Sequence, residues 1–460
     1  MQVCPRRSCL LVRWRVEGLP VRLHLATLYS LLLRLIITTV PLTYAGTMEI
    51  SGTRIFPSYL PLSLFIGLAG LCYLFQPRQS LRLDTPTILM LFFIGFILFS
   101  AWSGAHLSQS NALKYTIRYL LVLFYLAGFY YILPRWRLDW FSLWRFHAWI
   151  SAMVAIYGIY QFISVSLLGT YLPLLPNSSA VPFLQNFPRA VGTFMEAGYF
   201  SMYLGISILG TLYLHKYRPG FSTRLPLFFL VLAMIFSYSS AGIVALTIAI
   251  LFQYLREDRR WLRKSMGMLA VITALALSVI LMLALNPTAL QETIIKKFDI
   301  DLSSFKDTES MGQVGSGSTF DRLVKGFKAY NMTRERPWCG HGLGSYGVLY
   351  NHYPPLVEPR DLDVVPLNVY LHLLAEQGLC GLVLFLGLLF FMYWQLVGAR
   401  PVVVFVALNF MAFPLYSMDF IWVGLSILVG MEYQLRHGSG YSLPNQGTPC
   451  TSSRNLRVEQ

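Results

Sequence analysis

Asn368, His372 and Glu376 stand four residues apart in the run PLNVYLHLLAEQGLCGLVLFLG. On a helix that spacing stacks them on one face over about two to three turns. An imidazole with a carboxylate one turn further on can take or relay a proton. Three polar groups facing lipid would be costly, so this face must turn into a helix bundle. The same three residues could instead be a polar seam that satisfies itself between helices. A metal centre is not expected, because no second histidine stands near the pair.

Upstream, residues 315–347 read GSGSTFDRLVKGFKAYNMTRERPWCGHGLGSYG. Ser318 followed by Asp321 resembles a helix N-cap with its reciprocal acid. Phe320, Leu323, Val324, Phe327 and Tyr330 keep helical spacing, which predicts an amphipathic helix over 319–333, stopped by Pro337. Arg322, Lys325 and Lys328 flank that stripe, either as a solvated face or as ligand contacts. Gly342, Gly344 and Gly347 fit G-x-G-x-x-G, but with no βαβ unit around them they are not a dinucleotide fingerprint. They make a polar turn whose glycines either let backbone N–H groups approach a phosphate or close tightly. A third candidate lies in NFPRAVGTFMEAGYF, where Arg189 precedes an apolar run that Glu196 opens. The two either tie loop to helix or act as ionisable groups at the end of a span.

The elements that must position these groups follow from composition. The chain has 460 residues, of which 55% are hydrophobic and 12% charged, about half the charged share of soluble domains. Its apolar runs of roughly 20 residues mean membrane-spanning helices, without the alternating polarity of barrel strands. The expected fold is an all-α, polytopic membrane helical bundle of about twelve transmembrane helices. They fall near 23–44, 58–76, 86–102, 113–133, 146–168, 197–214, 225–238, 241–255, 265–285, 368–394, 401–416 and 419–434. The stretch 225–255 could be a hairpin or one tilted span. A hairpin turning within 238–242, with both termini inside, puts most of the 36 Lys and Arg on the inner face, including the run 256–264. That asymmetry selects the hairpin. The order is then a basic inner N-terminus (1–22, read as an uncleaved anchor), helices one to nine (23–285), a large outer loop (286–367) before the tenth helix, helices ten to twelve (368–434) and a disordered inner tail (435–460). The net charge of +15 reflects orientation and anionic lipid rather than nucleic acid. The six cysteines give no zinc spacing and no disulfide framework: Cys339 is the lone outer thiol, and Cys72 and Cys380 fall in spans.

RAVGTFMEAGYFSMYL (189–204), GSTFDRLVKGFKAY and RPWCGHGLGSYG (within 317–347) and NVYLHLLAEQGLCGLVLFL (368–386) resemble the O-antigen ligase and O-antigen polymerase superfamily, over roughly residues 85–434. The resemblance implies a metal- and cofactor-independent glycan transferase of the bacterial inner membrane, with the loop 286–367 periplasmic and both termini cytoplasmic. Its activity would be polymerisation of undecaprenyl-diphosphate-linked oligosaccharide repeat units of an O-antigen or exopolysaccharide. The alternatives are a ligase that transfers glycan to lipid A–core and, in another class, a polysaccharide transporter or flippase. The implied partners are the polyprenyl-diphosphate-linked oligosaccharide, membrane lipid, a flippase and chain-length regulators. Arg189 and Arg322 match arginines of the family stretches. With Glu196, Arg336 and His341 they form the expected substrate-binding set, and His372, Glu376 and Asn368 the expected catalytic set. Where the ligases and many polymerases place a histidine before the asparagine, this chain has Leu367. His372, His341 or His352 must then supply any imidazole base.

Overall fold

The computed structural model describes residues 19–42, 48–50, 53–55, 57–75, 85–127, 138–168, 189–194, 196–218, 222–256, 318–354, 364–414 and 418–437. The expected ninth span, most of the basic N-terminus and of the C-terminal tail, and half of the loop 286–367 lie outside them, as do the side chains of Ser318 and Asp321.

Within the described residues the chain is helical. The helices are α1 (Leu19–Thr39), α2 (Tyr59–Phe75), α3 (Thr85–Ala105), α4 (Gln109–Ala127), α5 (Trp140–Leu168), α6 (Ala197–Tyr217), α7 (Arg224–Phe236), α8 (Ser240–Arg256), α9 (Ser318–Glu335), α10 (Ser345–Leu349), α11 (Val369–Gln395), α12 (Arg400–Phe410) and α13 (Asp419–His437). One antiparallel hairpin, β1 (Met48–Ile50) with β2 (Thr53–Ile55), adds a feature the apolar runs do not announce. Eleven of the twelve expected positions carry a helix. Among the described residues four stretches are long and apolar enough to cross a membrane: Ile88–Ala105, Trp140–Ser164, Ala197–Tyr217 and Val369–Gln395. The stretch 225–255 is two helices. α7 ends at Phe236, the backbone turns at Tyr238 with φ 47°, and α8 starts at Ser240.

α6 is the hub. Every residue from Ala197 to Leu214 except Tyr199 is buried, because α5, α7, α8, α12 and α13 all pack on it. A helix surrounded this way needs small residues where bulky neighbours arrive. A Cβ at Gly205 would stand 2.1 Å from the Phe405 ring and one at Gly210 1.9 Å from Trp144. Polar groups on α6 are satisfied sideways. Ser207 meets His147 (3.1 Å) and Ser151 (3.0 Å) of α5, and Ser151 donates to the Tyr203 hydroxyl at 2.8 Å.

The last architectural feature is a crossing of two broken helices. After α9 the chain makes one more turn, with Gly340 N–H donating to Arg336 O at 3.1 Å. α11 is itself interrupted at Gly378 (φ 64°, ψ −164°). In an unbroken helix the carbonyls of Ala375 and Glu376 would accept from Leu379 and Cys380. Instead they accept from His341 (3.1 Å) and Gly342 (2.7 Å), while Leu379 and Cys380 donate to Pro337 (2.8 Å) and Trp338 (3.1 Å). Each segment supplies partners for two carbonyls and two amides that the other's break leaves open. The exchange is reciprocal: 337–342 and 375–380 make matching bonds at an offset of 38 residues. Its related glycines, Gly340 (φ 67°) and Gly378 (φ 64°), both lie in the left-handed region. A Cβ on either would stand 2.4 Å from a backbone carbonyl carbon of the other segment, so only glycine fits. The turn then wedges between α3 and α4, with Leu343 N–H on Ser100 O at 3.0 Å. The amides of His341, Gly342 and Leu343 are therefore spent on helix carbonyls and are not offered to a phosphate.

Two consequences are visible at the surface. Exposed large apolar side chains on α11 begin immediately after the break (Leu379, Val383, Leu386, Phe390, Trp394), and α11 carries none before it. The expectation that Cys339 stands apart from every other thiol does not hold for the backbone, since Cys380 N–H is bonded to the carbonyl next to it.

Candidate active site

The segment before α6 is held rigid so that Arg189 and Glu196 keep fixed positions. Gln161 of α5 grips it from both sides: its amide donates to Gly192 O at 2.8 Å and its carbonyl accepts Gly192 N–H at 2.9 Å. Ala190 N–H bonds Phe236 O at 2.9 Å, which brings the α7–α8 turn alongside. Thr193 donates to the carbonyl of Pro41. Glu196 occupies the N-cap position of α6 without using its side chain as a cap.

α9 brings the other half. Its inner face is Val324, Lys328, Ala329 and Met332, all buried, which leaves Arg322 and Lys325 half-buried on the flank toward α6. Arg322 is anchored by the turn after α12. One Nη donates to Ala412 O at 3.4 Å, and the guanidinium carbon lies 5.5 Å from the centre of the Phe413 ring. Burial lowers the pKa of Arg189 from the ordinary arginine value, and the charge of Arg322 adds to that lowering. Burial raises the pKa of the Glu196 carboxyl, against the pull of Arg322 and Lys325. These couplings place Arg189, Glu196, Arg322 and Lys325 in one electrostatic patch built from two chain segments. Its cations outnumber its carboxylate three to one. The Nε of Arg189 is buried with no hydrogen-bond partner among the described residues, a costly state in a closed protein and an open offer to an anion.

Beside Arg322 opens a cavity of about 420 Å³. It runs between α9, the N-terminal end of α11 and the turn after α12, with Leu323, Phe327, Tyr330, Leu367 and Met411 on its walls. Phe327, Tyr330 and Met411 are exposed to it in spite of their apolar character. The patch and the groove therefore join a cationic head site to an apolar channel.

The remaining sequence candidates lie elsewhere. Asn368 borders the groove, but its side-chain oxygen caps α11, accepting Tyr370 N–H at 2.9 Å and Leu371 N–H at 3.1 Å. His372 and Glu376 are 1% exposed and 3.2 Å apart. They face α4 and α10: the Tyr115 and Tyr346 rings meet the imidazole edge-on at 5.8 and 6.1 Å, and Tyr346 N–H donates to Glu376 at 3.1 Å. His341 is buried in the fold behind α9, its Nε2 3.1 Å from Met332 O and 3.3 Å from the Tyr353 hydroxyl. Burial holds its imidazole below the usual histidine pKa. Arg336 is exposed beyond the end of α9, and fourteen residues of helical rise separate it from Arg322 by about 21 Å. His352 is exposed. Lys328 corrects the solvated-face reading: it is 0% exposed, donating to Tyr350 O at 2.6 Å over the Tyr350 ring at 3.9 Å. Lys325, the other cation of that reading, belongs to the patch. A face assignment for α9 could have separated the two, because Lys328 falls four residues from Val324 and from Met332 and so shares their buried face.

Residues 225–386 match the sequence model of the family described as O-antigen ligase. No curated protein matches the chain. The matched stretch takes in α7 to α10, the helix crossing and most of α11, and so carries Arg322, Lys325, Asn368, His372 and Glu376; Arg189 and Glu196 come from the segment before it. Over that stretch, which also holds the helix crossing and the arginine-bearing α9, this membrane-embedded protein is similar to the O-antigen ligase family.

Proposed function

We propose that this protein is a glycosyltransferase that elongates a surface polysaccharide by joining polyprenyl-diphosphate-linked oligosaccharide units at the periplasmic face of the bacterial inner membrane. The observation that carries the reading is the cationic patch continuous with an apolar groove. A sugar–diphosphate–lipid carries two negative charges on its diphosphate and a long apolar tail. Arg189 and Arg322 contribute forked, permanently charged donors from two different elements, and the groove beside Arg322 offers the tail an apolar bed. The start of the lipid-facing stripe of α11 at Leu379 supports a bilayer surface at the helix crossing, with exposed Trp338 and Trp102 at that level, as interfacial tryptophans favour. α9, α10 and residues 369–377 then stand outside the hydrocarbon, and the patch opens to the periplasm.

In the transfer, an acceptor hydroxyl oxygen bonds to the anomeric carbon of the donor sugar while the bond from that carbon to the diphosphate oxygen breaks. The electron pair goes to the diphosphate, whose developing charge Arg189 and Arg322 stabilise. The hydroxyl proton needs an acceptor. We assign it to Glu196 rather than to His372: Glu196 lies in the patch with a pKa raised by burial, whereas His372 is sealed behind Tyr346 and Tyr115. His372 and Glu376 are then positioning residues that hold α10 against α11. Leu367 on the groove wall weakens the ligase reading more than the polymerase one, although many polymerases also place an imidazole there.

The family description favours the second reading, a ligase acting on lipid A–core. Purified protein in liposomes, given a synthetic polyprenyl-diphosphate-linked repeat unit, separates the readings. Chain growth from that donor alone is expected; growth only after lipid A–core is added means ligase. Transbilayer movement of the donor without any new glycosidic bond would mean a transporter and end the enzyme reading.

A further inference from the structure

We propose that Cys339 and Cys380 form a disulfide across the helix crossing, a covalent staple between the segment that follows α9 and the membrane-entering half of α11. Both are exposed thiols, although they are distant in sequence. Cys380 N–H donates to the carbonyl of Trp338 at 3.1 Å, and a Cβ on Gly378 would stand 2.6 Å from the amide nitrogen of Cys339. The backbones therefore touch at these residues. The Trp338 carbonyl fills the place that the carbonyl of Glu376 would hold for Cys380 in an unbroken helix. Cys339 consequently stands to Cys380 as a residue three positions earlier in the same helix. Such neighbours have Cβ atoms about 5–6 Å apart on one face, and a small rotation of the turn brings them to the roughly 3.5–4.5 Å that a disulfide spans.

Chemistry and placement agree. The two thiols lose two protons and two electrons, and one S–S bond forms. A disulfide-bearing protein oxidant accepts the electrons and protons through a mixed disulfide and leaves as its dithiol. Such oxidants act outside the cytoplasm, so the staple rests on the proposed periplasmic placement of the crossing. Its consequence is mechanical. The crossing is otherwise held by the four exchanged backbone hydrogen bonds, and α9 is the element that holds Arg322 against the patch. A staple at the foot of α9 keeps that arm in register with the membrane-embedded helices.

The test uses the full chain with Cys4, Cys9, Cys72 and Cys450 replaced by serine. Cells are quenched in acid, denatured, and labelled with a maleimide heavy enough to shift the band on a gel. The staple predicts no label without reductant and two labels after it, and Cys339→Ser in this background predicts one label without reductant. Two labels without reductant, or a reductant-sensitive dimer, would overturn it. A chain whose sole cysteine is Cys339, treated in outer-membrane-permeabilised cells with a membrane-impermeant maleimide, reports the side. Labelling from outside alongside two thiols that label without reductant refutes the staple alone. Labelling only after lysis refutes the periplasmic placement, and the staple with it.

Discussion

Two sets of buried or half-buried polar residues flank α9, and they are built on opposite rules. Behind it, Lys328, His341, His372 and Glu376 are closed from solvent and held by protein groups: Lys328 on Tyr350 O at 2.6 Å, His341 on Met332 O at 3.1 Å, Glu376 on Tyr346 N–H at 3.1 Å. In front of it, Arg189, Glu196, Arg322 and Lys325 are half-buried with cations in excess; among the described residues the Arg189 Nε has no hydrogen-bond partner, nor has the Glu376 Oε2 behind α9. Polar groups closed from solvent stabilise a fold through their contacts, whereas an excess of one charge at a half-open site attracts a ligand of the opposite sign. The comparison assigns binding to the front and architecture to the back, even though the back holds the residues whose spacing looks most catalytic.

The largest effect should come from the front. Arg189→Ala and Arg322→Ala are each expected to lower glycan extension by about 10²–10³-fold, the usual cost of removing one donor to a developing anion. Protein level and melting temperature should stay close to wild type. Lysine at either position should recover part of the rate, lacking the fork. Wild-type extension rates in both alanine variants would erase the distinction between front and back.

Glu196→Gln comes next, with an expected loss of about 10²-fold and a diagnostic pH profile. Burial raises the Glu196 pKa against the pull of Arg322 and Lys325, so the deprotonated base accumulates at higher pH than it would on an unburied glutamate. The wild-type rate should therefore climb with pH on a limb displaced upward from that of an unburied glutamate, and the glutamine variant should lose the limb. If the limb survives in Glu196→Gln and vanishes in His372→Gln, the proton goes to the back after all.

The back should respond in stability. Lys328→Met leaves the Tyr350 carbonyl without its charged donor, and a hydrogen bond to a charged group contributes about 1.5–3 kcal/mol. Melting of the detergent-solubilised protein should fall accordingly while turnover per folded molecule holds. His372→Ala should behave the same way, with a loss in turnover below about tenfold. A larger loss that Leu367→His restores would make the two positions one site.

Much of this was legible from residues. Apolar runs gave eleven described helices because lipid-facing and core-facing positions both demand hydrocarbon, and charge asymmetry chose the α7–α8 hairpin over one long span. The stripe on α9 was legible too, within two residues at each end. The helix crossing was not. Gly378 reads as an ordinary glycine in an apolar helix, and Gly340 as part of a polar turn; their shared role exists only once two segments 38 residues apart meet with both ladders broken. The front patch was half legible. Arg189 and Arg322 could be named one by one, and the spacing of Lys328 from Val324 and Met332 separates it from Lys325, but nothing in the order of residues brings Lys325 to Arg189 and Glu196.

The smallest expected effect makes the sharpest use of the comparison, because it keeps residue type and neighbourhood constant. Arg322 and Arg336 lie near opposite ends of the α9 segment, and both belong to family-like stretches. If positive charge near the bilayer were enough to gather an anionic lipid donor, either could serve and removing either would cost similarly. Position argues otherwise. Arg336 is exposed, about 21 Å along the helix from Arg322, and a charge in water is screened beyond about 8–10 Å at physiological salt. Exposed substitutions away from special features change stability by about 0.5 kcal/mol or less. Arg336→Ala should therefore stay within about twofold of wild type in extension rate, in half-saturating donor concentration and in melting temperature. A tenfold rise in the half-saturating concentration with turnover unchanged would show that the donor headgroup reaches the far end of α9, and the site would then run the length of that helix.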